Sequence, residues 1–197
     1  RTSFPSKHQE NLRRSGRKER LIMIVDAHVL LGTSLFRYGQ SLSDISANME
    51  RLGIDKAVLV PVKPRDYHLA AMNELVAKAV REHADRFLGL FRVDPWQGEA
   101  AVAEARKGFE EYGACGLYLD PWEEHFQAND QIVCPVLEEA KRHDRPVVIN
   151  AGHLRVSHPT QIRDIASQYP TTQFVACNGG QINISGMLLY DARRMLE

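Results

Sequence analysis

Residues 24–32 read Ile-Val-Asp-Ala-His-Val-Leu-Leu-Gly, an apolar segment in which only Asp26 and His28 are polar. Such a run, rich in β-branched residues and leucine and ended by glycine, predicts a buried β-strand. Side chains two positions apart on a strand point to the same face, so His28 and Leu30 are expected to share one face. A histidine in place of Leu30 would complete a pair of imidazoles able to bind one divalent metal ion.

Five more apolar runs follow the first and alternate with amphipathic helical patterns. The runs cover residues 21–31, 56–62, 87–93, 114–119, 146–150 and 173–177. They do not alternate polar with apolar residues, so we expect both faces of each strand to be buried, as in a parallel sheet covered by helices. Gly53 and Gly113 are predicted to end the first and third helices, and Pro135 to lie in the first turn of the fourth.

The strand–helix repeat is compatible with two architectures. One is a TIM-like (β/α) barrel, which at roughly 30 residues per unit would need about 240 to 250 residues for eight units. The 197 residues of this chain hold six such units. The alternative is an open doubly wound parallel sheet, although the first strand is followed by neither a G-x-G-x-x-G sequence nor a phosphate-binding loop. The barrel, with six of eight units present, is our prediction for the α/β fold.

Composition and charge exclude several functional classes. The chain carries 25 basic and 25 acidic residues, which argues against a protein that binds nucleic acid through phosphate neutralisation. No apolar run approaches the roughly 18 residues of a membrane span, and none resembles a secretory signal peptide. Three cysteines, widely spaced and in no C-x-x-C pair, are typical of reduced thiols. We therefore expect a cytoplasmic protein with neither a nucleic-acid nor a membrane partner.

The zero net charge conceals two unequal segments. Residues 1–20 hold seven basic and two acidic residues, a net charge of +5 that the other 177 residues balance. We predict that residues 1–22 form a disordered basic extension because they lack apolar periodicity, and that residues 23–197 form the partial barrel domain. Met23 fits a natural start of translation. The stripe Leu188, Leu189, Ala192 and Leu196 predicts a final helix that runs to the end of the chain, as a truncated protein would show.

Several motifs, in their order along the chain, give a resemblance to a known family. Asp26, His28 and Gly32 stand in register with the pattern D-x-H-x-H-x-G, and residues 51–58 resemble the family's approach to its second strand. The segments 116–121 (GLYLDP), 146–152 (PVVINAG) and 174–180 (FVACNGG) resemble G-[LV]-K-L-H-P, P-V-x-I-H-x-G and F-x-x-x-H-x-G. From residue 23 onward the chain thus resembles the amidohydrolase-related family, which includes the aminocarboxymuconate-semialdehyde decarboxylases.

The resemblance implies a divalent metal, zinc or manganese, at the carboxyl ends of the barrel strands. Asp26 and His28 are the metal ligands that it would carry over, with Asp26 either ligating or orienting His28. The chain departs from the family at Leu30, Asn150 and Asn178, where the family places histidines. One imidazole and two amides are too few for an ordinary hydrolytic zinc centre, so a tightly bound catalytic metal is not expected.

Three functional hypotheses remain open. By resemblance, the protein is a metal-dependent hydrolase or decarboxylase that acts on a small organic acid, lactone or amide at the carboxyl face of the barrel. A metal-free form of the same chemistry would use His28 and His153 for proton transfer and Asn150 and Asn178 as donors to a developing oxyanion. A third hypothesis is a pseudoenzyme whose barrel serves binding or assembly.

The predicted substrate site lies at the ends of the same strands. Its residues are Arg92 (or Lys63) as a carboxylate clamp, Tyr118, Asp120 and His153. The loop Thr33 to Ser41 after the first strand contributes Arg37 and Tyr38 as its distinctive groups. A small-molecule substrate is the expected partner. A homo-oligomer is expected as well, because an incomplete barrel would leave sheet edges exposed.

Overall fold

A computed structural model describes residues 22–180 and 189–196 of the chain. Within them, seven strands form one sheet. Their bounds are β1 Val25–Thr33, β2 Gly39–Gln40, β3 Lys56–Pro61, β4 Phe87–Arg92, β5 Gly116–Leu119, β6 Val147–Ile149 and β7 Phe174–Ala176. Six of the strands are those predicted from the apolar runs. The two-residue strand β2 was not predicted, and it pairs antiparallel with the end of β1.

Helices connect the parallel strands. They are α1 Leu42–Leu52, α2 Leu69–Glu82, α3 Glu99–Glu110, α4 Cys134–Arg142, α5 Pro159–Gln168 and α6 Leu189–Met195. Gly53 ends α1 in the left-handed conformation, with φ of 67°, as predicted. Pro135 lies in the first turn of α4, also as predicted. The final helix ends at Met195, and Leu196 is 83% exposed, so the predicted helical stripe does not include Leu196. Leu188, the first residue of that stripe, lies outside the described residues.

The order of the strands decides between the two predicted architectures. The sheet runs β2-β1-β3-β4-β5-β6-β7, and every parallel strand lies beside the parallel strand that precedes it in the chain. A doubly wound sheet reverses its order at a switch point, whereas a (β/α) barrel adds its strands in sequence. The predicted barrel-type fold is therefore confirmed, and the alternative of a doubly wound sheet is wrong. Over the described residues the sheet remains open between β1 and β7.

The two faces of the sheet have separate apolar clusters. Leu117 and Leu119 of β5 pack with the covering helices in the larger cluster, which also contains Val147 and Ile149 of β6. Tyr118, between the two leucines, packs on the opposite, inner face with Val60 and Leu90. All four residues of β5 are buried, which confirms the prediction of burial on both faces for this strand.

Strand β1 is irregular where its polar residues lie. Asp26 pairs with Ala57 and Val29 with Leu59, so β1 advances by three residues over a stretch in which β3 advances by two. This bulge lies at Ala27 and His28 and changes the simple alternation expected from the sequence. Gly32 has φ of +110°, and a Cβ there would lie 2.9 Å from Val62, so glycine suits the end of this strand. No helix in the described ranges is long and apolar enough to cross a membrane.

Candidate functional site

A cavity of about 180 Å³ lies at the carboxyl ends of the strands. The residues that line it come from β1 and the loop after it, from the ends of β3, β4 and β5, and from the residue after β6. They are His28, Leu30, Ser34, Phe36, Tyr38, Val62, Lys63, Arg92, Tyr118, Asp120, Trp122, Glu123 and Asn150. In α/β barrels this end of the sheet carries the chemistry because the loops there converge. Its volume is below the roughly 300 Å³ typical of sites for drug-sized ligands, so it suits a small molecule.

His28 lies at one side of the cavity, with its ring centroid 5.5 Å from that of Tyr118. The residue is exposed to solvent, although protein groups surround part of its side chain. That partial burial lowers the pKa of His28 below its usual 6.5, because the charged form loses hydration, and the nearby carboxylates of Asp120 and Asp26 oppose the shift. The imidazole is therefore neutral at pH 7 and can accept a proton.

Asp26 contacts the backbone of His28. Its Oδ1 accepts a hydrogen bond from the His28 backbone N–H at 3.3 Å, and Asp26 is not among the residues that line the cavity. The bulge at Ala27 and His28 brings this amide to the carboxylate. The described contacts thus give Asp26 a local role in shaping the bulged strand.

Four of the predicted site residues form a chain of hydrogen bonds across neighbouring strand ends. Asn150 Nδ2 donates to Asp120 Oδ2 at 3.0 Å, and Asn178 Nδ2 donates to Asn150 Oδ1 at 3.3 Å. Tyr118 donates its hydroxyl hydrogen to the same Asp120 oxygen at 3.3 Å. Asn178, with φ of 57°, lies outside the cavity lining and reaches the site through Asn150. The two amides and Asp120 therefore lie together as the strand alignment predicted.

Arg92 lies at the end of β4, 1% exposed, and its guanidinium is held by carboxylates that follow β5. Nη2 donates to Glu123 Oε2 at 2.6 Å and to Glu124 Oε1 at 2.7 Å, and Nε donates to Glu124 Oε2 at 3.3 Å. Asp120 Oδ2 lies 3.7 Å from Nη2. The predicted carboxylate clamp is thus already paired within the protein.

The backbone of Arg92 is fixed from the helix side of the sheet. Its N–H donates to Asn73 Oδ1 at 2.8 Å, and Asn73 Nδ2 donates back to the Arg92 carbonyl at 2.9 Å. Asn73 Nδ2 also donates to Glu104 Oε1 at 2.7 Å. This pair of bonds from α2 satisfies backbone groups at the end of β4 and so holds the arginine in place.

Lys63, the alternative clamp, is also engaged. Its Nζ donates to the Glu123 backbone carbonyl, lies 3.5 Å from Glu124 Oε1 and stands 4.9 Å from the centre of the Tyr67 ring. Burial raises the pKa of Glu124 to about 7, although Arg92 and Lys63 favour its ionised form. Burial likewise raises the pKa of Cys177 to about 11, so this thiol stays protonated at pH 7.

His153 lies behind one wall of the cavity. Its ring stacks on Trp122 with centroids 4.1 Å apart, and Trp122 itself lines the cavity. The predicted substrate contact at His153 therefore corresponds, in the structure, to a contact with an aromatic side chain of the rim. Phe36 and Tyr38, whose ring centroids lie 6.2 Å apart in the loop after β1, also line the cavity.

Several residues of the site were not predicted. Glu123 and Glu124 follow Asp120 in the sequence Asp-Pro-Trp-Glu-Glu and fold back over Arg92. A buried arginine requires carboxylate partners, so two adjacent glutamates immediately after a strand end were the available signal. No comparable signal in the sequence indicated that Asn73, on α2, bonds to the backbone of Arg92.

The donor set does not fit a metal ion. Among residues 22–180 and 189–196, no three or more His, Cys, Asp or Glu side chains are grouped so that they could hold one. Leu30 occupies the lining position beside His28, and amides occupy two of the positions where the family has imidazoles. Asp120, the nearest carboxylate to Asn150, is already bonded to Tyr118 and to Asn150. We therefore assign no reaction step to a metal.

Comparisons with solved structures identify the same fold in several enzymes. The manganese complex of 5-carboxyvanillate decarboxylase from Novosphingobium aromaticivorans has a TM-score of 0.67 and 18% identity, covering 84% of this chain and 67% of that one. For 4-oxalomesaconate hydratase from Rhodopseudomonas palustris the TM-score is 0.60, the identity 19%, and the coverage 89% and 69%. For 2,6-dihydroxybenzoate decarboxylase from Rhizobium the TM-score is 0.63 and the identity 14%, with 80% of this chain and 67% of that one covered. The chain thus spans about two thirds of each of these proteins, and identities this low show the fold alone.

Sequence comparison gives the family directly. A search of curated proteins found no match. The amidohydrolase family model matches residues 34–195, which is most of the chain and includes all the residues that line the site except His28 and Leu30 of β1. The resemblance seen in the strand-end motifs is confirmed, and the chain belongs to the amidohydrolase family.

Proposed function

We propose that this protein is a hydrolase or decarboxylase that acts on a small organic molecule in the strand-end cavity. The amidohydrolase fold supports a reaction of this kind, since the similar structures include two decarboxylases and a hydratase. The single observation that carries the proposal is the placement of His28 in a small cavity with Asp120 and Asn150, at the end of the sheet where barrel enzymes react.

His28 is the proposed proton-transfer group. Its lowered pKa keeps the imidazole neutral at pH 7, so it can take a proton from an attacking water in hydrolysis. In decarboxylation the neutral imidazole would first take up a proton from the substrate or from water, and would then give that proton to the carbon that loses carbon dioxide. Both reactions need the ring at the cavity wall, which is where His28 lies.

Asn150 is the proposed donor to negative charge on the substrate. One hydrogen of its Nδ2 goes to Asp120, which fixes the orientation of the amide, and Asn178 donates to its Oδ1. An amide held from both sides keeps its second N–H in a fixed direction, as a preorganised donor requires. Asn178 acts in this proposal through Asn150, as a positioning residue.

A second candidate function is binding without catalysis. The observation that favours it is the replacement of imidazoles by Asn150 and Asn178, together with the absence of a metal-binding trio among the described side chains. Such a protein would bind the same small molecules in the cavity and would leave them unchanged.

The experiment that separates the two is a turnover screen on the purified chain. Aromatic acids, unsaturated carboxylic acids, lactones and amides are incubated with protein either treated with a chelator or supplemented with manganese, and release of carbon dioxide or acid is measured. His28→Gln is the test variant, and His83→Gln, an exposed histidine beside Phe87 at the start of β4, is the matched control. Turnover that His28→Gln abolishes and His83→Gln retains supports catalysis. Binding of panel members without turnover supports the second function.

A further inference from the structure

We infer that the strand-end cavity selects a ligand that donates hydrogen bonds through nitrogen to the Glu123 carboxylate, as an amidinium, ammonium or amide does, and disfavours a carboxylate beside Arg92 and Glu123. A carboxylate that is lost in decarboxylation would lie instead beside His28 and Asn150. The inference rests on the proposed function for the location of the site and goes beyond it by naming the substrate class. It also reverses the expectation that Arg92 or Lys63 clamps a substrate carboxylate.

The first support is that the cations of the cavity are already neutralised. Both hydrogens of Arg92 Nη2 go to Glu123 and Glu124, at 2.6 and 2.7 Å. Nε donates to Glu124, and Nη1 lies 3.5 Å from the Pro61 carbonyl oxygen. Lys63 is bound to the Glu123 carbonyl and to Glu124. A carboxylate that bonded to Nη2 or Nε of Arg92 would have to displace one of these buried partners, at the cost of leaving that partner unpaired.

The second support is the balance of charge around the cavity. Lys63 and Arg92 face three carboxylates, those of Asp120, Glu123 and Glu124. Even when Glu124 is protonated, the two cations are matched by two anions, so these groups offer no spare positive charge. A ligand anion would therefore meet net negative charge from these groups when Glu124 is ionised, and no net attraction from them when Glu124 is protonated.

The third support is a free acceptor on Glu123. Its side chain is 10% exposed, and Oε2 is bonded to Arg92 at 2.6 Å. The other oxygen, Oε1, makes no hydrogen bond or ion pair with the described part of the chain. Four described side-chain atoms are fully buried and lack a hydrogen-bond partner, and Oε1 is not one of them. Because Glu123 lines the cavity, this oxygen can receive a hydrogen bond from a ligand.

The fourth support is the aromatic wall of the cavity. Phe36, Tyr38, Tyr118 and Trp122 line it, and Trp122 is held by its stack on His153. Aromatic faces attract both flat rings and organic cations. A small ring that carries a nitrogen-based donor can stack on these aromatic side chains and donate a hydrogen bond to Glu123 Oε1 at the same time.

The test uses three probes of the same shape and different charge. Benzamidine, benzamide and benzoate each carry a planar head group on one ring, and they are cationic, neutral and anionic at pH 7. Their affinities for the full chain are measured by isothermal titration calorimetry. We expect benzamidine to bind most tightly and benzoate most weakly, with about tenfold or more between the two extremes, as for a charged hydrogen bond gained or lost.

Glu123→Gln tests the named acceptor. The variant is expected to weaken benzamidine binding by about tenfold and to strengthen benzoate binding, since Arg92 loses a competing carboxylate. A purely structural role of Glu123 would weaken both. Glu138→Gln, which removes an exposed carboxylate on α4, is the matched control, and thermal unfolding verifies that both variants are folded.

The inference is overturned if benzoate binds as tightly as benzamidine, if Glu123→Gln leaves the order of affinities unchanged, or if no probe binds. These outcomes are separate from those of the turnover screen, because the probes measure binding without reaction. Preferred benzamidine binding in a protein without turnover would retain the ligand class and refute catalysis. Preferred benzoate binding in a protein with His28-dependent turnover would support catalysis and refute the ligand class.

Discussion

Replacing Arg92 by methionine removes the centre of the buried ionic cluster. Methionine retains much of the apolar volume of the arginine side chain, so the main change is the loss of the guanidinium. Glu124, whose side chain is fully buried, then keeps only Lys63 at 3.5 Å. Leaving a buried charge without its close partner costs about 3–5 kcal/mol, and we expect Arg92→Met to lower the free energy of unfolding by that amount at about pH 8.5.

The loss is expected to depend on pH. Burial already raises the pKa of Glu124 to about 7, and removal of Arg92 raises it further. A carboxyl group whose pKa is higher in the folded than in the unfolded state binds more protons when folded, so its unfavourable effect is relieved as the pH falls. The difference between wild type and Arg92→Met should therefore be smaller at about pH 5.5 than at about pH 8.5.

Urea denaturation at the two pH values measures both effects. Arg106→Met is the control, because Arg106 pairs with Glu139 at 2.9 Å but is 47% exposed, so the loss of this solvent-screened pair should cost much less stability than the loss of Arg92. Adding Glu124→Gln to Arg92→Met should recover part of the lost stability, since the unpaired charge is removed. A loss for Arg92→Met no larger than that of the control, or one independent of pH, would refute the argument for a buried cluster.

Three further predictions follow from local contacts. The imidazole of His28 should titrate below pH 6.5 in a histidine NMR experiment because partial burial disfavours its charged form, and a midpoint above that value would contradict its assignment as a neutral base. Gly108→Ala should destabilise the protein by about 1–3 kcal/mol despite the better helix propensity of alanine, since the new Cβ would lie 2.4 Å from the Phe91 ring. Phe91→Leu in the same chain should offset part of that loss in chemical denaturation. Ser41→Ala should cost about 1 kcal/mol in the same assay, because Ser41 and Asp44 form a capping box at the start of α1.

The strands of the fold were predictable because their signal is local. Continuous apolar runs marked all six parallel strands, and β5, buried on both faces, shows why such runs do not alternate. The choice between a barrel and a doubly wound sheet depended on strand order, which composition and periodicity do not contain. The motifs at the strand ends resemble those of the amidohydrolase-related family, and that resemblance favoured the barrel.

The site was predictable to the extent that strand ends meet at one edge of a parallel sheet. Asp120, Asn150 and Asn178 were therefore expected to come together, and they form a hydrogen-bonded chain. The bulge in β1 was not predictable from the alternation of side chains, and it turns Asp26 toward the backbone of His28.

The partners of Arg92 depend on the path of the chain after β5. Glu123 and Glu124 lie 31 and 32 positions from Arg92 and reach it only because the segment after Asp120 turns back over the cavity. No periodicity in the sequence encodes that turn. The assignment of Arg92 as a carboxylate clamp considered its charge and position without these neutralising neighbours.

The central claim is that His28, in the strand-end cavity, carries out proton transfer in a hydrolase or decarboxylase. The most direct measurement is the initial rate of wild type, His28→Gln and His83→Gln on any substrate that the screen identifies. We predict a loss of about 100-fold or more for His28→Gln and an unchanged rate for His83→Gln, as for removal of a general acid–base group. Equal rates in the two variants, or no turnover of any compound by the wild-type chain, would contradict the claim.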